Sequence, residues 1–140
     1  MKKVITYSLE SIDTIVELLD ELRKDVEIFT FTGNLGTGKT TLIKRLLARA
    51  GVDEVITSPT FTIVAQYKNE QGQKFNHFDL YRLASLKEFM DEGLHEYLYE
   101  SESCSYIEWP ELILPLLTHN VCHCRLEHVS PSERKITIET

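Results

Sequence analysis

Eight residues, Gly33-Asn34-Leu35-Gly36-Thr37-Gly38-Lys39-Thr40, fill the pattern G-x-x-x-x-G-K-[ST], and their neighbours restrict the folds open to the chain. Val26-Glu27-Ile28-Phe29-Thr30-Phe31-Thr32 before the octet is rich in β-branched and aromatic residues and reads as a strand. Thr41 to Ala48 after it carries apolar residues at helical spacing. A strand, a glycine-rich bend and a helix form the setting in which this pattern binds phosphate. Glycine at 33, 36 and 38 allows positive φ, so that main-chain N–H groups turn toward an anion at the positive end of the following helix. In such a loop Lys39 reaches the β- and γ-phosphates of a nucleoside triphosphate, and the Thr40 hydroxyl takes one position on Mg²⁺. The octet thus offers Gly33, Gly36, Gly38, Lys39 and Thr40 as phosphate and magnesium contacts.

Strand and helix patterns alternate along the 140 residues, which predicts an α/β class and one domain over 1–140. Ser11 to Lys24 carries a helical apolar stripe with Ser11 at the N-cap position. Thr62 to Tyr67 and Lys74 to Phe78 read as an antiparallel hairpin turned by Gly72 and inserted into the sheet. Ser85 with Glu88 three residues on has the form of a capping box, opening a helix that ends near Gly93. Leu94 to Tyr99 is expected to form a further short turn. Ser103 to Ile107 reads as a buried strand that Pro110 prevents from continuing, and Val121 to Glu127 and Lys135 to Thr140 read as closing strands.

A net charge of -7 opposes unaided binding to a phosphate backbone, so any connection to RNA has to run through a partner. No run approaches the ~20 apolar residues of a membrane-spanning helix, and Met1 to Tyr7 reads as a first strand rather than a signal peptide, making the cytoplasm the expected address. Cys104, Cys122 and Cys124 lack the paired spacing of a zinc site and are expected as reduced thiols, with Cys122, Cys124 and Leu126 on one strand face.

Hydrolysis needs acids near the phosphates as well as a cradle. Glu108 ends a core strand at the edge where open α/β sheets bind ligands, the place of a Walker-B acid that holds Mg²⁺ directly or through water. Asp79 follows the strand ending at Phe78, a position suited equally to a catalytic acid and to a turn or cap aspartate. Ser58-Pro59-Thr60-Phe61 suits a γ-phosphate sensor or a rigid loop. No sequence feature places an orienting carboxylate against His77, which therefore reads as a structural or partner contact. Arg82 suits either a cation for the γ-phosphate or a surface position.

Four segments in order, Gly33 to Thr41, Ser58-Pro59-Thr60-Phe61, His77-Phe78-Asp79-Leu80-Tyr81-Arg82-Leu83 and Ile107-Glu108-Trp109-Pro110, resemble the TsaE family of bacterial P-loop proteins across nearly the whole chain. Asn34 and Thr37 stand where aspartate and alanine are common in that family, both at unconstrained loop positions. The resemblance implies a three-layer, P-loop NTPase-like domain with a mixed central sheet and flanking helices. It implies an ATPase, using ATP and Mg²⁺, that supports turnover of the TsaB and TsaD proteins in forming N6-threonylcarbamoyladenosine (t6A) on tRNA, with tRNA contacted only through the complex. Carried over by position, the resemblance implies Thr40 and Glu108 as the metal ligands, Gly36, Thr37, Gly38, Lys39, Thr40 and Thr41 as the phosphate cradle, Lys39, Asp79 and Glu108 as the catalytic set, Glu10 and Arg134 as further nucleotide contacts, and Trp109 as a residue beside the site. A nucleotide-gated binding module and a small P-loop kinase are the competing functions; a GTPase is disfavoured because the sequence contains no N-K-x-D base-reading motif.

Overall fold

The computed structural model describes residues 1–54 and 63–140. Strands β1 (Lys2–Ser8), β2 (Ile28–Thr32), β3 (Val64–Lys68), β4 (Lys74–Asp79), β5 (Ser103–Glu108), β6 (Val121–His128) and β7 (Glu133–Glu139) form one mixed sheet in the order β1-β7-β6-β2-β5-β4-β3. Neighbours from β6 through β2 and β5 to β4 are parallel, whereas β3, β7 and β1 each join through an antiparallel pairing. The parallel centre brings the carboxyl ends of β2, β4, β5 and β6 to one edge. Two antiparallel steps return β1 to the direction of β6, so the end of β1 and the start of β7 reach that edge too, with Ser8 in register with Glu133 and Tyr7 with Arg134.

Alternation along the central strands separates two cores. Phe29 and Phe31 of β2, Phe75 of β4 and Tyr106 of β5 pack against α1 (Ile12–Leu22) and α2 (Lys39–Arg49), through Ile15, Leu19, Leu42 and Leu46. Ile28, Phe78 and Ile107 face the other way, onto Phe89 of α3 (Leu86–Asp91), Leu94 of the 3₁₀ turn Leu94–Tyr97 and Ile113 of the 3₁₀ segment Glu111–Leu116. The result is the expected α/β sandwich of helices on both faces of a mixed sheet. Cys122, Cys124 and Leu126 share the α1/α2 face as their alternation indicated, and all three cysteines are free thiols.

The hairpin forms with β4 paired to β5 inside the sheet and β3 at its edge. Gly72 turns it at φ +81°, Asn69 Oδ1 accepts from Gln71 N and Gln73 N at 3.1 and 3.0 Å, and Asn69 Nδ2 ties the turn to Ala50 O behind α2. Thr62, expected in the first hairpin strand, lies outside the described residues, as does the whole Ser58-Pro59-Thr60-Phe61 segment.

Two expected caps differ in detail. Ser11 occupies the N-cap position of α1 but makes no side-chain cap; its Oγ instead accepts from Ser8 N at 2.9 Å, closing the bend from strand to helix. Ser85 does accept from Glu88 N at 3.1 Å, while the Glu88 carboxylate reaches Ala84 N rather than Ser85 N, displacing the reciprocal half of the box by one residue. Helix α3 stops at Asp91, and Gly93 at φ +72° starts the 3₁₀ turn. No helix among the described residues is long and apolar enough to cross a membrane.

Phe78 is fully buried, with Phe89 and Tyr97 ring centroids 6.0 and 6.2 Å away. Phe78→Ala is expected to cost about 3–5 kcal/mol of stability by leaving a cavity between sheet and α3, measurable as a lower urea midpoint at unchanged slope.

Candidate functional site

The loop from β2 to α2 is shaped by main-chain constraints. Gly33, at φ +145°, passes so near β6 that a Cβ there would lie 2.5 Å from the Leu126 carbonyl oxygen and 2.9 Å from Thr37 Oγ1. Gly36 and Gly38 have φ +79° and +96°, and a Cβ on either would meet nothing within 4 Å. Glycine at 33 therefore permits close packing, while 36 and 38 take a left-handed backbone and face open space. Thr37 is buried and turned inward, donating from Oγ1 to Asn34 O at 2.7 Å, so its side chain braces the loop. Gly38 caps α2 from the left-handed region and places Lys39 and Thr40 in the first turn.

Lys39 is 5% exposed. Its Nζ donates to Gly33 O and, at 3.3 Å, to Asn34 O, and sits 3.9 Å from the centroid of the Trp109 ring. Burial pushes the ammonium below its usual pKa, opposed by the charges of Glu108, Glu111 and Asp79. Trp109 follows β5 in the left-handed region at φ +57° and also packs 5.0 Å from the Tyr81 ring.

Glu108, 2% exposed, accepts from Thr40 Oγ1 on Oε1 and bonds His77 Nε2 through Oε2, each at 2.7 Å. Asp79 stands in register with it on β4. Burial raises the Asp79 carboxyl above its usual pKa, partly offset by the bond from Tyr81 N at 3.1 Å. Gly36, Lys39, Thr40, Asp79, Glu108 and Trp109 thus line one cleft of about 320 Å³.

The open glycine bend and this donor set fit a phosphate chain and its magnesium ion. Thr40 Oγ1 and Glu108 Oε1 are 2.7 Å apart, close to the roughly 3 Å between adjacent oxygens of an octahedron with ~2.1 Å bonds.

A second cleft, of about 800 Å³, adjoins the other side of the loop and is lined by Tyr7, Glu10, Gly36, Gly38, Thr41 and Arg134, among others. The end of β1 and the start of β7 thereby bring Glu10 and Arg134 to the loop. Arg134 is held by bonds from Nη1 to Ser130 O and Glu133 O, both 3.0 Å. Arg82 is exposed and lines neither cleft.

Two relations were missed in the sequence. A carboxylate does lie against His77, which no sequence feature had placed there: β4 and β5 pair His77 with Tyr106 and Asp79 with Glu108, so that His77 meets Glu108 diagonally, two residues along the same face of the sheet. The signal available was the two-residue spacing of His77 and Asp79, which puts both on one strand face. Tyr81, part of the wall opposite Trp109, also went unassigned.

These elements define a P-loop-like α/β protein. Its sequence matches the family described as "Threonylcarbamoyl adenosine biosynthesis protein TsaE" over residues 6–136, and the chain belongs to the TsaE family. A tRNA threonylcarbamoyladenosine biosynthesis protein TsaE from Treponema pallidum is 35% identical over 121 residues, covering 86% of this chain and 87% of the relative. The Bacillus subtilis protein of the same name is 33% identical over 132 residues, covering 94% and 81%. The crystal structure of Bacillus subtilis YdiB superposes with a TM-score of 0.73 at 27% identity over 99% of this chain and 86% of that one.

A carboxyl whose pKa is raised on folding opposes the folded state above that pKa, and the penalty fades as pH falls through the folded and then the unfolded value. Asp79→Asn is accordingly expected to raise the melting temperature of the ligand-free protein at pH 7, with a gain that shrinks toward pH 4. Thermal melts across that range check it.

Proposed function

We propose that this chain binds ATP with Mg²⁺ in the cleft between the glycine loop and the ends of β4 and β5, hydrolyses it slowly, and so supports turnover of a TsaB–TsaD threonylcarbamoyl transferase in t6A formation on tRNA. One observation carries the reading: Lys39, Thr40 and Glu108 converge on the open side of a bend that only glycine can form. The family match supports the pathway.

Lys39 would exchange its two carbonyl partners for β- and γ-phosphate oxygens, an exchange favoured because a partly desolvated ammonium gains more from an anion than from neutral dipoles. Thr40 and Glu108 would hold Mg²⁺, which when bound neutralises charge on the β- and γ-phosphates. Asp79, made more basic by burial, would take the proton of the attacking water as its oxygen bonds γ-phosphorus and the bond from γ-phosphorus to the bridging oxygen breaks, releasing ADP and phosphate. Glu10 and Arg134 would contact the nucleoside end from the second cleft.

Slow turnover follows from what surrounds the phosphates. Among the described residues neither arginine nor glutamine lines this cleft, so its described lining offers no cation for the developing γ-phosphate charge beyond Lys39 and no side-chain amide to orient water. Leu35 and Tyr81 at the cleft mouth are 68% and 57% exposed, an apolar rim suited to a protein partner that completes the site. With a net charge of -7 the chain would meet tRNA only through that partner.

Phosphate release by the chain alone and with the TsaB–TsaD complex tests the proposal: slow release, accelerated by the complex, is expected, and vigorous release indifferent to the complex would count against it. Lys39→Ala should abolish ATP binding in calorimetry. Glu108→Ala should retain nucleotide binding without Mg²⁺ and lose most of the gain that Mg²⁺ provides.

A further inference from the structure

We infer that His77 is a positioning residue for the Glu108 carboxylate, holding Oε2 so that Oε1 is presented, with the Thr40 hydroxyl, as a preformed half-site for the divalent cation. The inference rests on the Mg²⁺–nucleotide reading and extends it to a residue that touches neither group.

The geometry is specific. A free glutamate has three rotatable side-chain torsions, and fixing both oxygens removes that freedom before any cation arrives. Here Thr40 engages one oxygen and His77 the other, both at 2.7 Å, and His77 is fully buried while Glu108 is 2% exposed. The carboxylate only accepts, so Nε2 carries the proton of this bond. Among the described residues Nδ1 has no hydrogen-bond partner. Among the described residues the ring's one hydrogen bond is therefore with Glu108, and an imidazole buried at such a place for packing alone would be replaceable by an apolar ring at no cost to that carboxylate.

Histidine also suits the task electrostatically. Lysine or arginine in its place would hold the carboxylate with a permanent positive charge that competes with a divalent cation for the same anion. A single N–H donor on Oε2 fixes orientation and leaves Oε1 beside the Thr40 hydroxyl. Groups of this kind, one shell out from a ligand, are worth about 10–100-fold in metal affinity.

His77→Gln and His77→Asn separate positioning from packing. The glutamine amide nitrogen reaches about as far as Nε2, whereas the asparagine amide stops short, near Nδ1; the two are otherwise alike in polarity. Mn²⁺ binding to the protein–ADP complex, followed by electron paramagnetic resonance, reads the half-site directly and without turnover, and ADP affinity in EDTA serves as the reference. We expect His77→Asn to weaken Mn²⁺ about 10–100-fold with ADP affinity in EDTA unchanged, and His77→Gln to restore most of the loss. Mn²⁺ affinity equal to wild type in His77→Asn, or equal losses in both variants and in both measurements, would overturn the inference. Wild-type protein that binds ADP without retaining Mn²⁺ would overturn the metal assignment of Thr40 and Glu108 together with it, whereas an intact wild-type site indifferent to residue 77 would remove the positioning role alone.

Discussion

The hydrogen bond from Thr40 to Glu108 joins the first turn of α2 to the end of β5, and the rest of the site is organised around that junction. It requires the glycine loop to close tightly enough to start α2 beside the sheet edge, and it requires β5 to be buried on both faces so that its last residue is carried to that edge. All six residues of β5 are buried, and β2 and β4 flank it in parallel. A carboxylate at such a place is tolerable only with partners for both oxygens, which Thr40 and His77 supply.

The parallel centre explains why acids, lysine and aromatic wall meet at one place. Asp79, Glu108 and Gly33 each stand at or just beyond the carboxyl end of a neighbouring strand, so their proximity follows from strand order β2-β5-β4 and not from any closeness in the chain. The antiparallel additions extend the same edge: β1 and β7 bring Glu10 and Arg134 to the far side of the loop. One edge therefore carries two adjoining clefts, one narrow and charged beside the acids, the other wider beside the chain's first and last strands.

Burial gives the charged cleft its chemical character. Desolvation lowers the Lys39 ammonium and raises the Asp79 carboxyl, moving both away from their most strongly ionised forms. Each is thereby disposed toward the species that the proposed nucleotide would bring, the ammonium toward an anion and the carboxylate toward a proton. Trp109, in the left-handed region immediately before Pro110, places its ring against Lys39 Nζ.

Much of this was legible in the residues alone. The octet located the loop and named Lys39 and Thr40 because glycine's missing Cβ is a local property, written at the position where it acts. Alternation found β2, β5 and β6, and Ser85 marked α3, since strand and cap signals are likewise short-range. The Ser11 side chain and the displaced Glu88 contact were not legible, because a hydroxyl or carboxylate chooses among several nearby main-chain groups according to how the chain arrives. Strand order and register were beyond reach for a deeper reason: no local preference states which strands lie side by side. That pairing alone set His77 against Glu108, turning an apparently structural histidine into the neighbour of the site's central acid. Sequence by itself located the glycine loop, most of the strands and helices and the candidate acids; only the tertiary structure decided their company, because cross-strand contacts between residues about thirty positions apart are fixed by burial of whole faces rather than by any single side chain.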